Sequence, residues 1–396
     1  MPDAATRAST QASIDAFRWR LWARVFGFRI LPAREVVDER LRQLEVVGEA
    51  LWQDALRPFL PEFAPLFAPP VDAAEARHVA NLKAVAAMAY TIGRDLQRAH
   101  TVDEAGAHDA GVIGAWMGIA AAVLDFLIDT GRLAPAAIAA HLDVERLCRA
   151  MPSPDEGGDD GAAELPRLDA GGPPPELLFP LRAVEQALAG IRARLARTPR
   201  GDYRGRLHHE IRASLSRMAS SELASPQLQL ARVTPAELDA VEAELRTVNT
   251  LGLWLSAYVG LCAAPRPPDP VLEGLLRVTS RLGEAGWILD ALADIHEDLE
   301  AGVWSRVWVE AARQPEPPDL ADRSPGGRAR ALAALERGPV LDRLLARLEV
   351  LIDELAREPA LDVDTPARLT GAVQLMTFVF LSPRGEPPWR SGAPIR

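Results

Sequence analysis

Two groups of carboxylates stand out in a chain otherwise rich in Ala, Leu and Arg. The first closes a long apolar stretch from Gly114 to Gly131, where Asp125 and Asp129 lie four residues apart. On a helix that spacing puts both on one face, a turn from each other. The second is denser, with Asp290, Asp294, Glu297 and Asp298 ahead of Gly302. At about 100° per residue, Asp294 falls about 40° from Asp290, Glu297 about −20° and Asp298 about 80°, which makes one stripe with His296 on the other side. Carboxylates at a helix end meet the negative pole of the macrodipole and repel one another at four-residue spacing. A divalent cation reverses the sign of that cost. Mg²⁺ takes oxygen ligands, keeps several waters and uses one or two carboxylates plus substrate phosphates. Two such stripes facing each other could hold Mg²⁺ ions and, through them, a diphosphate as leaving group. The competing reading of either stripe alone is a solvated acidic face.

The elements that must position these residues are helical. Apolar residues recur at three- and four-residue spacing, and strictly alternating β-branched runs are absent. The pattern predicts helices over about 12–30, 34–57, 73–100, 107–131, 135–150, 177–198, 206–223, 235–263, 270–301, 303–313, 327–357 and 365–381. Thr234-Pro235 with Glu237 reads as an N-cap, an N1 proline and a capping box, and Gly131 and Gly302 read as stops. No fixed period repeats, so the expected fold is one all-α bundle rather than a solenoid. The domain reading is a helical arm over 1–70, a helical domain over 71–381 and a Pro-rich tail over 382–396. Residues 152–176, rich in Asp, Gly and Pro, read as a mobile acidic loop within that domain.

The clusters resemble the aspartate-rich motifs of the class I isoprenoid (terpenoid) synthases. The stretch Leu124-Asp125-Phe126-Leu127-Ile128-Asp129 looks like the first motif in its Asp-x-x-x-Asp form. Asp294-Ile295-His296-Glu297-Asp298, with Leu299 to Trp304 after it, looks like the second motif of squalene and phytoene synthases and of bacterial terpene synthases. The likeness spans about residues 70–380. The first motif has neither a doubled aspartate nor an acid at Ile128, which leaves the number of metals open.

The resemblance implies a single bundle around a deep apolar cavity with the two motifs facing each other at its mouth. Mg²⁺ held by Asp125, Asp129, Asp290, Asp294, Glu297 and Asp298 would grip the diphosphate of a prenyl substrate. Ionisation to an allylic cation would lead to cyclisation or coupling. A head-to-head prenyltransferase of the squalene/phytoene type is the alternative within the family. A non-catalytic helical protein that binds a prenyl lipid or a partner is the alternative outside it. Arg246, Arg94 and Arg306 are the candidate diphosphate contacts, because a guanidinium bonds two phosphate oxygens at once. Trp116, Trp254, Tyr258 and Trp287 are the candidate cavity aromatics for cation–π guidance, each with plain core packing as its competing reading.

Composition bounds the rest. The 396 residues carry 44 basic and 55 acidic side chains, a net charge of −11, which argues against a nucleic-acid partner. Two cysteines exclude a disulfide framework and a cysteine zinc site. No unbroken apolar leader is read near the start, so the expected location is cytoplasmic. The Phe17–Arg29 stretch pairs aromatics with arginines and offers either peripheral membrane contact or a helix capping the domain. The uncharged stretch 247–265 reads as a buried helix, and a homodimer remains open.

Overall fold

The computed structural model describes residues 4–59, 72–99, 103–129, 132–142, 172–198, 201–224, 230, 233–246, 268–359, 361 and 364–382. Among the described residues the regular structure is helical. In chain order the helices are α1 (Ala4–Val25), α2 (Arg34–Leu51), α3 (Asp72–Arg98), α4 (Glu104–Asp129), α5 (Pro135–His141), α6 (Pro175–Arg197) and α7 (Asp202–Ala224). They continue with α8 (235–246), α9 (Asp269–Ala293), α10 (Ile295–Ala301), α11 (Arg306–Ala312), α12 (Pro325–Arg337), α13 (Val340–Ala356) and α14 (Asp364–Leu381).

The most extensive packing is between α3 and α4, and α6 covers another side of α4. Small residues allow the close approach. A Cβ on Gly93 would lie 2.7 Å from the Ala110 carbonyl oxygen, and one on Gly114 would lie 2.7 Å from that of Ala89. By length and composition Glu104–Leu124 could cross a membrane, but 67% of that window is buried within the fold. Arg194 of α6, fully buried, donates to the Gly106 carbonyl and to Gln97 Oε1 at 2.8 and 2.9 Å, tying α6 to α3 and α4. A buried guanidinium with oxygen partners is tolerable where a bare one would not be.

The second half of the bundle is built from α9, α13 and α14, which pack on one another, with α2 and α3 bridging to the first half through α14. α1 is a packed helix of this body. Phe17, Leu21, Trp22 and Val25 belong to the main apolar core. Arg20 pairs with Glu336, Arg24 with Asp342 and Arg29 with Glu349. The aromatics Phe17 and Trp22, read from sequence as a membrane-facing option, are thus spent on the core, while Trp19 and Phe26 stay exposed.

Helix bounds differ from the sequence pattern, which puts the first helix at 12–30 where α1 runs Ala4–Val25 and puts another at 135–150 where α5 ends at His141, and three further stretches change within their span. The stretch 34–57 gives way to a π-turn over Trp52–Leu56. The stretch 327–357 is two helices broken at Gly338-Pro339, where proline supplies no N–H and restricts the residue before it. The stretch 270–301 is broken at Asp294, as described below. The acidic loop over 152–171, the tail beyond 382 and the stretch 247–267 lie outside the described residues.

Candidate functional site

Helix direction decides which residues can meet. Arg98 at the end of α3 pairs with Glu104 at the start of α4, and Gly118 of α4 abuts Ala89 and Val85. The two helices are therefore antiparallel, and Asp125 and Asp129 lie level with the beginning of α3. α9 and α13 are also antiparallel, because Arg277 and Arg281 bind Glu358 while Glu284 binds Arg347. α14 starts six residues after Glu358, and its Arg368 stands 3.7 Å from Asp95 of α3. The end of α3, the start of α14 and the first half of α9 thus share one end of the bundle. The C-terminal ends of α4 and α9, which carry both acidic segments, point to the other. The side chains of Asp125 and Asp129 themselves lie outside the described residues.

The second acidic segment has a local structure that periodicity does not show. α9 stops at Ala293, and Asp294 adopts φ −101°, ψ 13° before α10 begins at Ile295. This bridge region is sparsely allowed and frequent at functional positions. The break has an electrostatic reason. In one continuous helix Glu297 and Asp298 would sit at the negative pole; in α10 they occupy the first turn, where the dipole favours acids. Asp290 stays in the last turn of α9, and the Asp294 carbonyl accepts the Asp298 N–H at 2.8 Å. Asp290 and Glu297 are exposed, and Asp294 and Asp298 are half-buried. Burial pushes the Asp294 carboxyl up to about 9, with Asp290, Glu297 and Asp298 adding to the rise. A half-buried carboxyl crowded by three others is an all-oxygen donor set that a cation would relieve. Among the described residues, no three His, Cys, Asp or Glu side chains already converge as a metal site.

The segment is held from both sides. Gly302 closes α10 at φ 73°, in the left-handed region that favours glycine. Arg323 donates to the carbonyls of Ala301, Gly302 and Leu230 at 3.2, 3.0 and 2.9 Å. It is a positioning residue that no motif marked in the sequence. From α1, Phe17 stacks edge-on against His296 at 4.9 Å, and Arg18 reaches Glu297 at 3.6 Å. Burial first, then Arg18, pulls the His296 imidazole down to about 4.

The arginines expected at a diphosphate fall in two places. Arg246 and Arg306 converge on Glu242, with Arg246 at 3.0 Å, and Arg313 joins them. Burial pushes the Glu242 carboxyl up, but Arg313, Arg306 and Arg246 overcome it and hold it at about 2. The same two guanidiniums lie over the Trp287 ring, 4.9 Å (Arg306) and 5.9 Å (Arg246) from its centroid. Trp287 is buried, and its ring is already engaged by protein cations. Arg94 is elsewhere. Its neighbour Gly93 packs level with Ala110, fifteen residues or roughly 22 Å of helix rise before Asp125. Arg94 therefore cannot reach the phosphate that Asp125 would grip. Trp116 is buried in α4. Trp254 and Tyr258 lie outside the described residues.

No family model matches the chain, and no curated protein matches it. A solved structure does. The crystal structure of a geranylgeranyl pyrophosphate synthase from Lactobacillus brevis superposes with a TM-score of 0.50 at 15% identity. The match covers 83% of this chain and 98% of that one. The chain is an all-α bundle of the isoprenoid synthase type. At that identity the likeness is one of fold.

Proposed function

We propose that the chain is a Mg²⁺-dependent class I isoprenoid synthase. It ionises an allylic prenyl diphosphate and then cyclises or couples the resulting cation. The observation that carries this reading is the break at Asp294. It sets Asp294, with Asp290, Glu297 and Asp298 near enough to raise its pKa, at the end of α9 that points the same way as the end of α4. Asp290, Asp294, Glu297 and Asp298 on one side, and Asp125 and Asp129 on the other, would hold the metal. Bound Mg²⁺ would supply Lewis-acid stabilisation of the departing diphosphate. Phe17, His296 and Arg323 keep the α10 backbone in place. The Glu242 cluster fixes Arg246 and Arg306 over the Trp287 ring, three residues before Asp290 in α9.

A second reading, a helical protein that binds a prenyl lipid without turnover, draws on the hold of Glu242 over Arg246 and Arg306. Product analysis separates the readings. Geranyl, farnesyl and geranylgeranyl diphosphate are incubated with the protein and Mg²⁺ and the organic phase is examined by gas chromatography–mass spectrometry. A cyclic or head-to-head hydrocarbon or alcohol supports the enzyme and names the branch. Recovery of intact substrate bound to the protein supports the lipid-binding reading.

A further inference from the structure

At the end of the bundle remote from the acidic segments, α2, α3 and α14 enclose a cavity of about 740 Å³. That is the size of a small-molecule site. Its floor is cationic. Arg40, Arg94 and Arg368 line it, with Asp95 as the carboxylate among them. Asp95 is 3% exposed, and Arg94 and Arg368 stand 3.7 Å from its Oδ1, which is buried and receives no hydrogen bond. Arg94 Nε is likewise buried with no acceptor. Next along α3, Arg98 is taken by Glu104. At the exposed rim Glu39 pairs with Arg42, and Glu45 is a further acid of the lining there. Three guanidiniums thus face one carboxylate at the floor.

The entry of Arg40 is built into the helix contact. Its guanidinium lies against the Gly371 backbone, so closely that a Cβ at 371 would overlap it. Burial lowers the pKa of Arg40, and the charge of Asp95 only partly opposes this. A cation held in a partly desolvated place and facing a cavity is a natural partner for an anionic oxygen. The remaining walls are mostly apolar, with Leu44, Val47, Met88, Ile92, Leu375 and Met376, while Gln43 and Thr91 are bonded to Glu39 and the Ala87 carbonyl. Methionines adapt to a chain without a fixed shape.

We propose that this cavity is a second ligand site, for an amphiphile whose anionic oxygen headgroup docks on Arg40, Arg94 and Arg368 and whose aliphatic chain lies along α2 and α14. The site is independent of the acidic segments and of the reaction assigned to them.

Isothermal titration of the full chain with decyl phosphate, inorganic phosphate and decyltrimethylammonium tests this, with thermal melts confirming that each variant folds. Decyl phosphate is expected to bind, and at least tenfold more tightly than the other two probes. Arg40→Met and Gly371→Ala are each expected to weaken it at least tenfold, while Asp294→Asn binds as the wild type does. Equal binding of decyltrimethylammonium overturns the headgroup assignment, and equal binding of inorganic phosphate overturns the amphiphile. Unchanged affinity in both Arg40→Met and Arg94→Met, or loss of binding in Asp294→Asn, places the ligand elsewhere and refutes the site. If Gly371→Ala does not fold, the two arginine variants decide.

Discussion

The carboxylates at the end of α9 should make the metal-free protein less stable as pH rises. Asp294 is the group that matters. Its carboxyl is pushed up to about 9 by burial and by Asp290, Glu297 and Asp298. In the unfolded chain an aspartate titrates near ~3.9. Between those values the native state holds a proton that the unfolded state has released. The contribution to stability is therefore full below about pH 4 and is lost as pH rises towards 9. The limiting slope is about 1.4 kcal/mol per pH unit, or about 2.7 kcal/mol between pH 6.5 and 8.5. The four carboxylates titrate as a set, so part of this is shared, and a change of about 1–2.5 kcal/mol is expected. Urea unfolding followed by circular dichroism, in EDTA at pH 6.5, 7.5 and 8.5, measures it beside Asp294→Asn. The amide carries no charge at any of these values. Groups that do not interact with Asp294, His296 included, are common to both proteins and cancel in the difference, so what remains belongs to Asp294 and the three carboxylates coupled to it. The advantage of the Asn variant should grow by that amount across the range. Mg²⁺ should stabilise the wild type more at pH 8.5 than at 6.5, because the ligands must ionise to bind it. Parallel curves for the two proteins would refute the reasoning and show that Asp294 is not a desolvated, crowded carboxyl.

Other consequences are more local. Glu242→Gln should cost about 1–2 kcal/mol in urea unfolding, because it removes the carboxylate that Arg246, Arg306 and Arg313 share and leaves Glu310 and Asp239 to offset Arg306 and Arg313. With its folded value held at about 2, Glu242 contributes stability above about pH 4.5 that is lost as pH falls towards 2. Acid titration of wild type against Glu242→Gln should therefore show the gap closing over that window. Gly114→Leu should destabilise by about 2 kcal/mol or more, since even a Cβ there would lie 2.7 Å from the Ala89 carbonyl oxygen; thermal melts report it. Phe17→Ala should cost about 3 kcal/mol as a buried aromatic truncation. By uncovering His296 it should also raise that imidazole towards the ordinary histidine range, which NMR titration of the ring would show.

Much of the helical pattern was legible because it rests on local chemistry. Thr234 and Glu237 make the reciprocal capping box their spacing foretells, with the Thr234 N–H on Glu237 Oε2 at 2.7 Å and the Glu237 N–H on Thr234 Oγ1 at 3.3 Å. Gly302 stops its helix in the left-handed conformation its position implied. The Gly338-Pro339 break carried its own signal, although the apolar period runs through it. The break at Asp294 did not, because nothing in Ala293-Asp294-Ile295 disfavours a helix locally. Repulsion among the carboxylates and the preference of Glu297 and Asp298 for a helix start together account for it.

What periodicity cannot supply is helix direction and partnership. Arg94 and Asp125 lie on consecutive helices, yet the antiparallel turn between those helices sends them to opposite ends. Arg246 and Arg306 look like free cations in a list of arginines, but Glu242 claims both. Trp287 reads as a cavity aromatic, while in the fold its ring lies under those two guanidiniums. The cavity among α2, α3 and α14 joins residues some 330 positions apart, Arg40 and Gly371, which no local pattern could pair.

The most direct test of the account is diphosphate release from farnesyl diphosphate, followed continuously in Mg²⁺ and in EDTA, for wild type, Asp125→Ala and Asp294→Ala. The account predicts release by the wild type in Mg²⁺ alone, with a fall of at least a hundredfold, ~3 kcal/mol in barrier, in each variant. Release that persists in EDTA, or that survives in both folded variants, would contradict it.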